Sequence, residues 1–459
     1  MTKPRTPSLR MSAKAVAVFL LSAAFLSISF YTNVFLVANE SLFRREITES
    51  FVMGRLVQSA QEGIFASAGL LGHGGPDVDP PEYSNEAMAL QYTSYLEGRS
   101  FQSYGTYNSL IGGQGLFLGV VDRLLSGTPA ERLEIHRAVA SVLAAAALAL
   151  IVVWFYLELG AVAGLFAFGS LALSSWLIAF AHNLYWSIWS FYLPMIALMY
   201  HLGRRGTVIW DQPLFFLIFG TVLLKCFLNG YEFITTFLIM MTVPLVFYRV
   251  RAAASLRAVV GDLTKAAVAS VTAVAVSMVA LVGQIAIVRG GLMEGLRHIG
   301  VSVLRRTYGD PTVFPELAAS LEASLTEVLA TYLMGPFFNF SQYVYTENPF
   351  LLRWVFGVRY VSLIGLFAIA TVLLIPALRG TGSESPARAL VTATWFSALA
   401  PLSWFVLFKS HSYQHPHMNF IVWQMPFTIF GFALCGLALR HLIGTIATRD
   451  RPASVTPAR

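Results

Sequence analysis

The sequence predicts an all-α polytopic membrane protein, with about ten transmembrane helices and juxtamembrane helices in two large outer loops. Three observations lead there. Of 459 residues, 56% are hydrophobic and only 12% charged, about half the charged share of an ordinary soluble domain, and the mean hydropathy is +0.65. The apolar residues gather in runs of about 20, the length that carries a helix through the hydrocarbon with every backbone group bonded internally. Lys and Arg concentrate in alternate short loops, as they do on the cytoplasmic side of a membrane.

The elements follow in order. A basic tail, residues 1–14, carries Lys3, Arg5, Arg10 and Lys14. The apolar stretch behind it, 15–38, is too long for a cleavable signal and right for a span, so it reads as a signal anchor with its start in the cytoplasm. Outer loop one takes residues 39–135. Helices two to seven fill 136–288, as His136–Leu159, Ala161–Ala181, Leu184–Leu202, Val208–Leu228, Tyr231–Tyr248 and Ala266–Val288. Outer loop two takes 289–359. Helices eight to ten, Tyr360–Leu378, Leu390–Phe408 and Asn419–Leu439, fill 360–439 before a tail at 440–459.

Charge tests this order. Arg204 and Arg205 follow the fourth span, Arg249, Arg251, Arg257 and Lys265 the sixth, Arg379 and Arg388 the eighth, and Arg440, Arg449 and Arg451 the tenth. The short outer connections His182–Asn183 and Asn229–Gly230 carry no Lys or Arg. Both termini are therefore expected in the cytoplasm. A net charge of +7 is accounted for by topology, and no basic soluble domain for nucleic acid remains. Cys226 and Cys435 lie in apolar runs and imply no disulfide framework.

The two long loops have structure of their own. In RREITESFVMGRLVQSAQEGIF, Ile47, Phe51, Met53, Leu56, Val57 and Ile64 recur at helical spacing, with Arg45, Glu49 and Arg55 between them. That pattern predicts a helix lying flat on the membrane, apolar side down. The Gly/Pro/Asp stretch GLLGHGGPDVDPPEY breaks the chain. The apolar segment YNSLIGGQGLFLGVVDRLL is expected to be re-entrant or juxtamembrane, because a full crossing would turn every later basic loop outward. In loop two, PELAASLEASLTEVLATYL opens with Pro at a first helical position and acids in its first turns, which predicts an interfacial helix.

Three constellations could carry chemistry. Lys409, His411, His415 and His417 crowd FKSHSYQHPHMNFIVWQMPF between the last two spans, with Tyr413 and Trp423 offering ring faces for a sugar. They suit a phosphate or another polar substrate. His415 and His417 could contribute to a metal site, but no Cys or well-spaced carboxylate accompanies them, so no metal or other cofactor is indicated. Lys225, one turn from the outer face, stands near Glu232; it either snorkels outward or lines an outer cavity with that acid. Adjacent Arg305 and Arg306 in HIGVSVLRRTYGDP suit a phosphodiester, or equally anionic headgroups.

The order of segments adds a resemblance. An acid opens a short helix after span one (TESFVMGRLVQSAQEGIFA), an aromatic and Gly-rich segment follows (FQSYGTYNSLIGGQGLFLGVVDRLLSG), and Arg137 opens span two in HRAVASVLAAAALALIVVWFYLELG. Over roughly the first 200 residues this resembles the protein-mannosyltransferase-like branch of the GT-C glycosyltransferases, which includes the bacterial aminoarabinose transferases. In that family an acidic pair starts the first outer helix. Here Thr48 stands where the family has its catalytic Asp, leaving Glu49 as the matching acid, and Gly105-Thr106-Tyr107 replaces its Pro-Pro. The resemblance implies Glu49 as catalytic base, with Glu46, Asp77 and Asp79 as the other acids within reach, and Tyr104 of the aromatic segment among the substrate-binding residues. It further implies a polyprenyl-phosphate sugar donor, a glycan or lipid acceptor among the envelope lipids, and a place in the inner (plasma) membrane.

The chemistry asks for those groups. Attack of a hydroxyl on an anomeric carbon needs a base for its proton, and cations must neutralise the charge that grows on the departing phosphate. A transporter or flippase of lipid-linked saccharides is the second class, although no internal repeat of the kind common in transporters is visible. A polymerase or ligase of such saccharides, with its Arg and His in a late outer loop, is the third, and a non-catalytic scaffold the fourth.

Overall fold

The computed structural model describes residues 12–44, 47–75, 84–340, 344, 346–379 and 385–449, and within them the chain is almost wholly helical. Helix α1, Ala13–Thr32, starts on a Ser12 cap and ends where Asn33 turns left-handed and its side chain bonds both backbone groups of Ala38. The first span is therefore shorter than 15–38. Outer loop one holds α2 (Ser50–Glu62), α3 (Asn85–Glu97) and α4 (Gly113–Leu124). The two-strand ribbon of β1 (Gly72–Gly75) and β2 (Ser103–Thr106) pairs Gly72 with Thr106 and Gly75 with Ser103. The ribbon was not foreseen, since four-residue strands rich in glycine give no alternation to read.

Helix α5, Pro129–Leu159, begins seven residues before the expected span, on a Thr128–Glu131 capping box with Pro at its first position. Next come the bent pair α6 (Ala161–Ala172) and α7 (Ser175–Ala181), broken by 65° at Leu173–Ser174. Helices α8 (Ile188–Arg205), α9 (Gln212–Asn229), α10 (Ile234–Arg251) and α11 (Leu256–Arg289) follow. Loop two holds α12 (Leu292–Arg306), α13 (Ala318–Glu322) and α14 (Leu325–Met334). The chain closes with α15 (Tyr360–Arg379), α16 (Pro386–Ser397), α17 (Leu399–Leu407), α18 (Lys409–Gln414) and α19 (Phe427–Arg449).

Each of the ten apolar segments thus falls on a helix or a pair of helices. Eight, among the described residues, are long and apolar enough to cross a membrane, and the α6–α7 pair makes a ninth if it is one span. Helix α8 is not among the eight. The last segment starts later than Asn419, because residues 420–424 form a separate short turn ahead of α19.

Two expectations about the loops need correction. Helix α2 does not keep its charges solvated: every residue from Ser50 to Ser59 is buried, against α3, α4 and β1. Arg55, with no exposure, is solvated from inside, donating to the carbonyls of Ala66 (2.5 Å), Ile64 and Gly63. Gly54 makes the close approach possible, since a Cβ there would run into the Gly72 carbonyl. In loop two the expected single helix is split at Ala323–Ser324, and α12 is an additional amphipathic helix with Leu292, Met293, Leu296, Val303 and Leu304 exposed. The segment around α4 forms a helix of only 12 residues, too short to cross.

The long loops and the basic residues Arg205, Arg249, Arg251 and Arg440 lie at opposite ends of the bundle. At the end away from the loops, Arg251 pairs with Glu158, Arg249 with Asp262, and Arg205 with Asp211 at 2.6 Å; Arg440 donates to the Leu159 carbonyl at 3.0 Å. These are the groups the charge pattern assigns to one side.

Candidate functional site

At the loop end the chain builds two polar centres, with an aromatic layer between them. The first surrounds Glu49, the residue before α2. Its carboxylate is 2% exposed and accepts from Arg137 Nη2 (2.5 Å), Tyr92 Oη (2.9 Å) and the Leu184 amide (3.1 Å). Arg137, two turns into α5, also reaches Glu134 at 3.3 Å. Burial opposes the charge on Glu49, but Arg137, then the neighbouring His182 and the Leu184 N–H outweigh it, and the carboxyl stays below its usual range. The two residues that carry the resemblance at the loop–span junction are therefore in contact. Glu46, Asp77 and Asp79 lie outside the described residues.

The aromatic layer is Phe51, Tyr107 and Tyr185, with ring centroids 4.4 Å apart for Phe51–Tyr107 and 6.5 Å for Tyr107–Tyr185. Beyond it lies a cavity of about 220 Å³ lined by polar Asn108, Ser109, Glu232, Ser302 and Arg306 and by apolar Val274, Met278, Trp404 and Phe408. Glu49 is not on its wall. Arg306, at the last turn of α12, donates one N–H to Ser109 Oγ at 3.1 Å and makes no ion pair among the described residues. Burial opposes its charge too, yet Glu232, Tyr107 and Tyr185 more than compensate and raise its pKa above the ordinary value.

Glu232 sits in the turn between α9 and α10. The turn is set by Gly230, whose φ of +56° brings it against Leu110 where a Cβ would collide. Lys225 holds this turn but does not pair with the acid's side chain. Its ammonium has no exposure, donates to the carbonyls of Gly230 (3.1 Å) and Glu232 (2.6 Å), and lies between the rings of Phe191 and Phe237 at 4.5 and 4.4 Å. Both sequence alternatives for Lys225, snorkelling and lining the cavity, give way to this clamp.

The histidine loop arrives from the other side. His411, on α18, bonds Asn419, and its ring lies 4.8 Å from His415, which lies 5.7 Å from His417. Burial first, then Arg306, His415 and His417, push His411 well below the usual histidine range; burial and Arg306 lower His415. These rings are neutral donors and acceptors beside Arg306 at neutral pH, and add no cations. Lys409 is committed elsewhere: it is buried, donating to the carbonyls of Leu321 (2.7 Å) and Ala323 (2.6 Å), so it fastens loop two to the bundle. Arg305 is exposed and pairs with Glu316 at 3.3 Å. Tyr104 bonds the Leu70 carbonyl at 3.1 Å and does not line the cavity.

Of the sequence-predicted residues, Arg306 and Glu232 line the cavity, while His411 and His415 lie off its wall, near enough to Arg306 to feel its charge. The structure separates from them Glu49, Lys409, Arg305, Tyr104 and the Lys225 ammonium. Asn108, Ser109, Tyr107, Tyr185 and Trp404 were missed, because single polar or aromatic residues in apolar surroundings carry no spacing signal. No protein-family model, curated protein or solved structure matches the chain. Fold and site define a polytopic helical membrane protein with a charged cavity at one end of its bundle.

Proposed function

We propose that the chain is a membrane glycosyltransferase that moves a sugar from a polyprenyl-phosphate-linked donor to an envelope glycan or lipid acceptor. It would work at the outer face of a bacterial inner membrane, with about ten spans in a GT-C-like arrangement and both termini in the cytoplasm. One observation carries the reading. In a single cavity, the Arg306 guanidinium, bonded to Ser109, meets an apolar wall formed by Met278 and Val274, level with the turn that carries Tyr231. A guanidinium fork suits a phosphodiester, and an adjoining apolar wall suits the chain behind it. Trp404 and Tyr231 supply ring faces on the same wall.

A polymerase or ligase of lipid-linked saccharides is the second reading, favoured by Arg306 of loop two lying near enough to His411 and His415 for its charge to act on them. The test is mass spectrometry of envelope glycans and glycolipids from cells with and without the gene. The proposed transferase predicts one sugar residue lost. Loss of whole repeats supports the polymerase or ligase. Unchanged glycan structures with donor lipid trapped on the inner leaflet point to a flippase and reject both.

A further inference from the structure

We infer that Glu232 is the catalytic residue that takes the acceptor hydroxyl's proton, a step that rests on the glycosyl-transfer reading above. The acid suggested by segment order, Glu49, has both oxygens committed to Arg137, Tyr92 and Leu184. To act as a base it would have to break a buried ion pair. Glu232 is the opposite case. It is only 8% exposed and lines the cavity, yet its carboxylate accepts no hydrogen bond and joins no ion pair among the described residues. A buried carboxylate without a partner is costly, and such a group is expected where a ligand supplies the missing proton donor.

The surroundings hold it ready. Gly230 sets the turn, and Lys225 fixes the backbone carbonyl of Glu232 itself, so the carboxylate stays on the cavity wall and off the ammonium. Arg306 lines the same cavity and forms no ion pair with Glu232 among the described residues. A reacting group that enters this cavity would meet both the carboxylate and the guanidinium. Trp404, 1% exposed, lines the same space with an indole N–H that has no partner among the described residues.

The step balances as follows. The acceptor oxygen bonds to the anomeric carbon while the bond from that carbon to the phosphate oxygen breaks. The electron pair of the broken bond leaves with the phosphate, which gains one negative charge beside Arg306. The acceptor proton passes to Glu232 and afterwards to outside water. Total charge is unchanged.

The test uses the full-length chain in a gene-deleted strain, comparing wild type, Glu232→Gln, Glu232→Asp and Glu232→Ala. Sugar incorporation from the endogenous donor is measured in membranes, and binding of undecaprenyl phosphate as a probe is measured on protein in lipid nanodiscs. The expected result is a loss of about 100-fold or more in transfer for Glu232→Gln, with probe binding within about threefold of wild type. Added formate should restore part of the transfer in Glu232→Ala, which a purely structural role would not allow, and Glu232→Asp should keep part of it. Transfer by Glu232→Gln near the wild-type rate overturns the assignment and leaves the glycosyl-transfer reading standing. Loss of probe binding together with transfer also overturns it, making Glu232 part of the donor site. Absence of any transfer by the wild type overturns the reading on which the assignment rests.

Discussion

Replacing Glu49 by Gln keeps its shape and removes its charge, so it isolates the worth of the pair with Arg137. The carboxylate is 2% exposed and the guanidinium 17%. Breaking a buried pair by removing one partner costs roughly 3–5 kcal/mol, chiefly by stranding the other charge. Because Arg137 keeps some solvent and a second acid in Glu134, the lower end, about 3 kcal/mol, is expected. At roughly 2 °C per kcal/mol for a large chain, that is a fall of about 6 °C in Tm. The assay is thermal unfolding of purified protein in one detergent at pH 7, with a double-mutant cycle through Arg137→Gln. The double variant should lose clearly less than the sum of the singles. The pH sign follows from the lowered pKa of Glu49 in the folded state. The contribution is fully present above the unfolded value of about 4.3 and is lost as pH falls through the folded one, so it should be constant from pH 5 to 8. Melting of Glu49→Gln within about 1 °C of wild type, or additive effects around the cycle, would refute the buried pair.

Acidification should loosen the histidine loop: His411 and His415 are held below the ordinary histidine pKa, so their stabilising contribution is intact above about pH 6.5 and falls away below it. His411→Gln should flatten the fall in Tm between pH 7 and 5, and an unchanged slope would exclude His411 as its source. Lys409→Met should release residues 318–334 from the bundle by deleting the bonds to Leu321 and Ala323; limited proteolysis should cut there at least several times faster than in wild type. Gly54→Ala forces a methyl group onto the Gly72 carbonyl and should cost about 1–3 kcal/mol, read as a lower Tm with loop-one cleavage. With Cys226 and Cys435 buried and silent, an impermeant maleimide should label Ser100→Cys in intact cells and Ala252→Cys only after permeabilisation.

Segment lengths and charge were legible in the sequence because they answer to one local rule each. A run of apolar residues must be a helix where no water can satisfy its backbone, and a basic loop marks one side of the membrane. Hence α1, α5, α10, α11 and α15 lie where the hydropathy put them, with ends displaced by caps at Asn33 and Thr128. Arg306 was visible as half of an adjacent arginine pair, and Glu232 as the acid near Lys225.

What their charges would face was decided only by tertiary structure. Lys225, Lys409, Arg55 and Arg306 are four cations of similar appearance in the sequence. The first three spend their donors on backbone carbonyls of a turn or loop, and the last bonds a serine hydroxyl on the wall of a cavity. That division depends on which groups lie unpaired nearby, a matter of packing between residues up to 197 positions apart. No periodicity encodes it. The same holds for Glu49 and Glu232: one acid meets an arginine from the next span and is neutralised, while the other meets a lysine that takes its backbone and leaves its carboxylate free.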